Sequence, residues 1–230
     1  MPALVLAVAL AACGGGGNHE QTADPNPPQQ QPAAPVKVVQ DKTDTRPIIA
    51  AFGDSLSAGL GVEPGKSYPD DVQRLIDAAG YHFKVVNLGV SGDTSTDGLE
   101  RMPEVLASHP AVVILEFGAN DGLRGLPVAS TQKNLADMVE AFQKARVAIL
   151  LAGMTLPRNY GPEYIKSFEQ VYVDLATKYK LVRIPFLLEG VGGHPDLTQP
   201  DGLHPTAEGA AIVAANVMKY LQPMLGKYTR

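Results

Sequence analysis

From residue 48 onward, short runs rich in β-branched residues alternate with stretches whose apolar residues recur at helical spacing. That alternation confines the chain to a narrow set of folds. The runs occupy 48–52, 84–88, 112–117, 147–151 and 181–184. The helical patterns are Val72, Leu75, Ile76 and Ala79; Leu99, Met102, Val105 and Leu106; Leu135, Met138, Val139 and Phe142; Ile165, Phe168, Val171, Tyr172 and Leu175; and Ile212, Val217, Met218 and Leu221. Strands that reach their neighbours through helical crossovers lie parallel, and right-handed crossovers cover both faces of the sheet. The spacing predicts an α/β protein, a three-layer α/β/α sandwich around a five-stranded parallel sheet over residues 48–230. Hydrophobic residues make up 45% of the chain, and no apolar run is long enough for a bilayer-spanning helix.

Charge and cysteine content remove several classes of function. Nineteen basic residues against 24 acidic ones, a net charge of −5, provide no basic footprint for nucleic acid. The single cysteine, Cys13, excludes an intramolecular disulfide and a multi-cysteine zinc site, and no metal or cofactor is expected. Cys13 instead closes Leu10-Ala11-Ala12-Cys13 after an apolar run of signal-peptide length. This resembles the lipobox of bacterial lipoproteins, in which cleavage before the cysteine is followed by its acylation. Residues 14–47 contain four consecutive glycines, six prolines and five glutamines, a composition that cannot bury enough surface to order itself. The expected organisation is a signal peptide over 1–13, a disordered tether over 14–47 and a folded domain over 48–230, on a periplasmic protein held to a membrane through Cys13. As a flexible chain the tether would span roughly 30 Å.

In open parallel sheets, ligands bind beyond the carboxyl ends of the strands. Four polar loops fall there: Gly53-Asp54-Ser55-Leu56-Ser57, Ser91-Gly92-Asp93-Thr94, Gly118-Ala119-Asn120-Asp121 and Asp201-Gly202-Leu203-His204-Pro205. A serine hydroxyl needs a base to act as a nucleophile, and a histidine base needs a partner that fixes its tautomer. Ser55 sits in a tight, glycine-flanked turn. Asp201, three residues before His204, can hold one ring nitrogen while the other faces the serine. The N–H groups of Ser55 and Gly92 and the Asn120 amide can face a developing oxyanion. Each residue also has a structural reading, since Ser55, Asn120 and Asp201 suit helix caps or turns and Gly92 suits a turn. Leu123, Leu126 and Pro157, on neighbouring loops, are candidate walls for an acyl chain.

Together the four blocks, with Leu156-Pro157-Arg158-Asn159-Tyr160-Gly161, resemble the signature blocks of the SGNH (GDSL) hydrolases. The chain is most similar to their bacterial acyl-CoA thioesterase I, lysophospholipase and arylesterase subgroup. The resemblance covers the chain from about residue 48 to its end. It implies a flavodoxin-like strand order, a small-molecule acyl ester or thioester as substrate, Ser55 as nucleophile, His204 as base with Asp201 orienting it, and Gly92 and Asn120 in the oxyanion hole. Two other readings fit less well. An α/β-hydrolase elbow needs Gly-x-Ser-x-Gly, but position 57 is serine. A ligand- or nucleotide-binding module would leave Asp201, His204 and Asn120 without a common purpose, and its glycine-rich first loop lacks the lysine of a phosphate-binding loop.

Overall fold

The computed structural model of the protein describes residues 44–226. Five parallel strands, β1 (Ile48–Gly53), β2 (Lys84–Asn87), β3 (Val112–Glu116), β4 (Ala148–Ala152) and β5 (Val182–Ile184), form one sheet in the order β2-β1-β3-β4-β5. The central pair, β1 and β3, runs in register from Ile49 opposite Val112 to Gly53 opposite Glu116. Both faces of these two strands are covered, so they read as continuous apolar runs rather than alternating ones. The chain builds outward from β1 to β2 on one side, then returns to build β3, β4 and β5 on the other. The crevice between the carboxyl ends of β1 and β3 is therefore the switch point where such sheets bind ligands.

Between the strands lie α1 (Ser55–Ala58), α2 (Tyr68–Ala78), α3 (Ser95–Ala107), α4 (Ala119–Leu123), α5 (Val128–Lys144), a 3₁₀ turn (Arg158–Tyr160), α6 (Pro162–Tyr179) and α7 (Ala207–Leu225). α2 packs with α7, and α3, α5 and α6 pack in series, which makes the two outer layers. Local chemistry starts the helices. Ser67 with Asp70 and Thr94 with Asp97 form capping boxes at α2 and α3, and the Thr206 hydroxyl accepts from Gly209 N–H at α7. Three apolar residues assigned to inner faces by periodicity, Leu75, Ala79 and Ile212, lie outside. Leu75 and Ile212 are 38% and 36% exposed. The buried stripe of α2 runs through Tyr68, Val72 and Ile76, and that of α7 through Ala210, Val213, Ala214, Val217 and Leu221. At about 100° per residue, Ile212 falls behind the face that Val213 and Ala214 occupy.

The folded unit begins before the boundary expected at residue 48. Pro47 C=O accepts from Lys84 N–H at 3.0 Å, extending the β1–β2 ladder. Arg46 pairs with Asp44 at 2.7 Å and donates to Phe83 C=O at 3.3 Å. Residues 44–47 thus belong to the folded unit, because their backbone and charges are satisfied by the β2 edge. The Cys13 lipobox and the rest of the expected tether lie outside the described residues.

Candidate active site

β1 ends in the turn that carries Ser55. Asp54 caps α1, its Oδ1 accepting from Leu56 N–H at 3.0 Å, and Gly59 closes this one-turn helix in the left-handed conformation. Position 53 must be glycine, because a Cβ there would run into the Glu116 carboxyl and the Ser57 hydroxyl. The sharp turn leaves the Ser55 side chain at the sheet's carboxyl rim, where its Oγ lies 2.8 Å from His204 Nε2.

His204 is held by the turn that begins at Asp201. Asp201 Oδ1 accepts from the N–H groups of Leu203 and His204, at 2.9 and 3.0 Å, and Oδ2 lies 2.6 Å from His204 Nδ1. Gly202 supplies the left-handed residue that this turn requires. Burial alone would raise the Asp201 carboxyl, but the hydrogen bonds from the His204 N–H, the His204 ring and the Leu203 N–H outweigh it. They hold the group below the usual carboxylate range. An ionised Asp201 accepts a hydrogen bond from Nδ1–H, which fixes the proton on Nδ1 and leaves the Nε2 lone pair facing Ser55, the arrangement a general base needs.

Across the switch point, Asn120 at the start of α4 donates through Nδ2 to Asp54 Oδ2 at 3.1 Å and to Asp93 C=O at 2.9 Å. Its amide is thereby fixed beside Ser55. Gly92 has φ +89, and its C=O accepts from Arg124 Nη2 at 2.8 Å. Among the described residues, neither the Ser55 N–H nor the Gly92 N–H has a hydrogen-bond partner within the protein. A cavity of about 500 Å³ opens onto Ser55, Asn120 and His204, with Leu123, Met154, Leu156, Pro157, Phe186 and Leu188 among its walls. Of the three expected acyl-chain walls, Leu123 and Pro157 line this cavity. Leu126 does not line this cavity: its C=O accepts from Tyr164 Oη at 3.0 Å, and its N–H donates to Asp121 C=O, which turns the segment away.

Three residues that support the site were missed in the sequence. Glu116 is fully buried at the end of β3, and its Oε2 accepts from Asp54 N–H, Ser57 N–H and Ser57 Oγ at 3.1, 3.2 and 2.8 Å. Arg101 on α3 binds Asp93, Leu88 C=O and Gly53 C=O at 2.7, 2.8 and 3.1 Å, tying the ends of β1 and β2 together. Gln199 Nε2 donates to Leu60 C=O at 2.6 Å and to Pro205 C=O at 2.9 Å, stitching the histidine turn to the loop after α1. Of the three, only Glu116 left a signal, as a charged residue inside the otherwise apolar run 112–117.

Comparison with known proteins agrees with this geometry. The chain is 43% identical to "Esterase TesA" of Pseudomonas aeruginosa over 77% of this chain and 89% of that protein. It is 37% identical to "Thioesterase 1/protease 1/lysophospholipase L1" of Escherichia coli, over 77% and 84% respectively. A crystal structure of TesA superposes with a TM-score of 0.75 at 42% identity, covering 77% of this chain and 99% of that one. The profile of the GDSL-like Lipase/Acylhydrolase family matches residues 51–212, from the strand before Ser55 to the helix after His204. With the parallel sheet, the switch-point site and these relatives in agreement, the chain belongs to the GDSL-like (SGNH) lipase and acylhydrolase family and is a serine ester hydrolase.

Proposed function

We propose that the enzyme hydrolyses small acyl esters or thioesters, of the arylesterase, lysophospholipase or acyl-CoA type, through an acyl-enzyme on Ser55. The observation that carries this reading is the 2.8 Å contact between Ser55 Oγ and His204 Nε2, backed by the 2.6 Å contact between His204 Nδ1 and Asp201. Ser55 Oγ attacks the acyl carbonyl as His204 Nε2 takes its proton. The oxyanion forms within reach of the Ser55 and Gly92 N–H groups and the Asn120 amide, where an anion competes well with the neutral Asp93 carbonyl for one amide proton. As the intermediate collapses, His204 protonates the departing alkoxide or thiolate. Water then attacks the acyl-enzyme with the same base, and the proton returns to Ser55 Oγ. The acyl chain extends along Leu123 and Pro157 into the apolar cavity, which is of a size usual for small-molecule sites.

The same reading includes location. No helix among the described residues is long and apolar enough to cross a membrane. We propose a periplasmic enzyme tethered by acylation of Cys13, a reading supported by the Leu10-Ala11-Ala12-Cys13 motif and the polar, glycine- and proline-rich segment after it.

Ser55→Ala should abolish hydrolysis of p-nitrophenyl esters without lowering Tm, and an organophosphonate should label Ser55 stoichiometrically. Mass spectrometry that finds the label on Ser57 or Ser91, together with an active Ser55→Ala enzyme, refutes the assignment.

A further inference from the structure

Beneath Ser55 lie two buried carboxyl groups to which the reaction assigns no step. Asp54 and Glu116 are both inaccessible to solvent and touch through their side chains. Two buried carboxylates in contact do not both stay ionised, so the pair holds a proton. The hydrogen bonds indicate where it sits. Both Asp54 oxygens accept, Oδ1 from Leu56 N–H and Oδ2 from Asn120 Nδ2. Glu116 is lopsided: three donors converge on Oε2, while the buried Oε1 has no donor. A carboxylate would leave that oxygen as a desolvated acceptor with nothing to accept. A carboxylic acid removes the deficit, with Oε2 as its carbonyl oxygen and Oε1–H donating to Asp54.

We propose that Glu116 is a positioning residue that works as a neutral acid, clamping the backbone on both sides of Ser55 and fixing Asn120 through the Asp54 carboxylate. The N–H groups it binds belong to Asp54 and Ser57, so the orientation of the intervening Ser55 is set from β3. Its partner Asp54, as the single anion of the pair, aligns the Asn120 amide. Neutrality also matters for the oxyanion, since a second buried negative charge under Ser55 would oppose the charge that develops there. Burial, and then the Asp54 charge, push the Glu116 carboxyl well above its usual range, while Asp54 is raised mainly by burial. The other titratable groups around the pair are Tyr68, linked through the Ser57 hydroxyl, Tyr172, Asp93 with its partner Arg101, and His204.

The inference rests on Ser55 being the nucleophile, and its test separates the two. In the full chain, Glu116→Gln keeps both the carbonyl acceptor and a donor toward Asp54, so kcat should stay within about tenfold of the parent. Glu116→Ala should lose about 10²-fold in kcat with little change in KM. A second readout is stability. An acid whose pKa is raised by folding keeps its proton in the fold and loses it on unfolding, so stability falls as pH rises through that interval. Glutamine does not titrate, so the Tm of Glu116→Gln relative to the parent should climb between about pH 5 and about pH 8. A flat or falling difference refutes the neutral acid, and a Glu116→Gln enzyme as impaired as Glu116→Ala refutes the positioning role. If Glu116→Ala does not fold, the Tm difference of Glu116→Gln still decides. Ser55→Ala, measured alongside, should lose turnover while leaving the parent's Tm–pH profile unchanged. An active Ser55→Ala removes the nucleophile assignment and leaves the proton on Glu116 to be judged by the Tm difference alone.

Discussion

At the scale of single residues, what could be read in the sequence depended on how far apart the partners lie. Asp201 and His204 are three positions apart, and a single turn accounts for their contact. Glu116, Arg101 and Gln199 reach partners 62, 48 and 139 positions away, where only the assembled sheet brings them together. The proposed oxyanion donors stood between these cases: Gly92 and Asn120 were recognisable as loop residues at strand ends, whereas the Asp54 and Asp93 contacts that orient Asn120 were not. Asp201 yields a prediction with a definite sign. Its carboxyl is held below the unfolded value, so its contribution to stability is present above that value and disappears as pH falls through the folded one. Asp201→Asn should therefore lie below the parent in Tm at neutral pH and approach it as the solution is acidified toward about pH 3. Its kcat should drop by about 10⁴, because an amide no longer selects the tautomer with Nε2 free. A Tm gap that widens on acidification would contradict the lowered carboxyl.

Elements were legible where they were long and periodic. Five strands and five amphipathic helices followed from spacing, but α1, α4 and the 3₁₀ turn are too short to show a period, and they carry or flank the site. Periodicity also placed Leu75 and Ile212 inward, because it gives the direction of a face to within about one residue rather than the partner that occupies it. α3 contains a glycine, Gly98, that helix propensity alone would count as a defect. Packing supplies its reason: a Cβ there would come within 2.7 Å of the Phe117 ring, and that ring is itself wedged edge-on against Phe52 at 4.8 Å. Alanine is worth about 1 kcal/mol over glycine in an exposed helix. Gly98→Ala should nonetheless destabilise by about 1–3 kcal/mol in urea unfolding, since the buried ring has nowhere to move. A stabilised variant would mean that α3 can slide on the sheet.

For the whole molecule, the strand order brings loops from four parts of the sequence to one rim, and the order of blocks along the chain anticipated it. The start of the folded unit was placed too late because the bonds that hold residues 44–47 are made to β2, some forty positions on. A chain beginning at Lys42 should keep full activity and Tm, while one beginning at Ile48 should be active but melt lower, having lost the Asp44 and Arg46 contacts. Membrane attachment should follow Cys13 and not the domain. The full chain, expressed behind a functional secretion signal, should take up labelled fatty acid and sediment with membranes, and Cys13→Ala should do neither. An acylated Cys13→Ala protein would refute the anchor. The Gln199 stitch has an implication for how such an enzyme can diversify. By bonding the histidine turn to the loop that follows Ser55, it makes the proposed base and nucleophile a single mechanical part, while Leu156 and Pro157 stand on a separate span between β4 and α6. On the proposed acyl path, reshaping that span should retune which acyl groups are accepted without retooling the part that cleaves them.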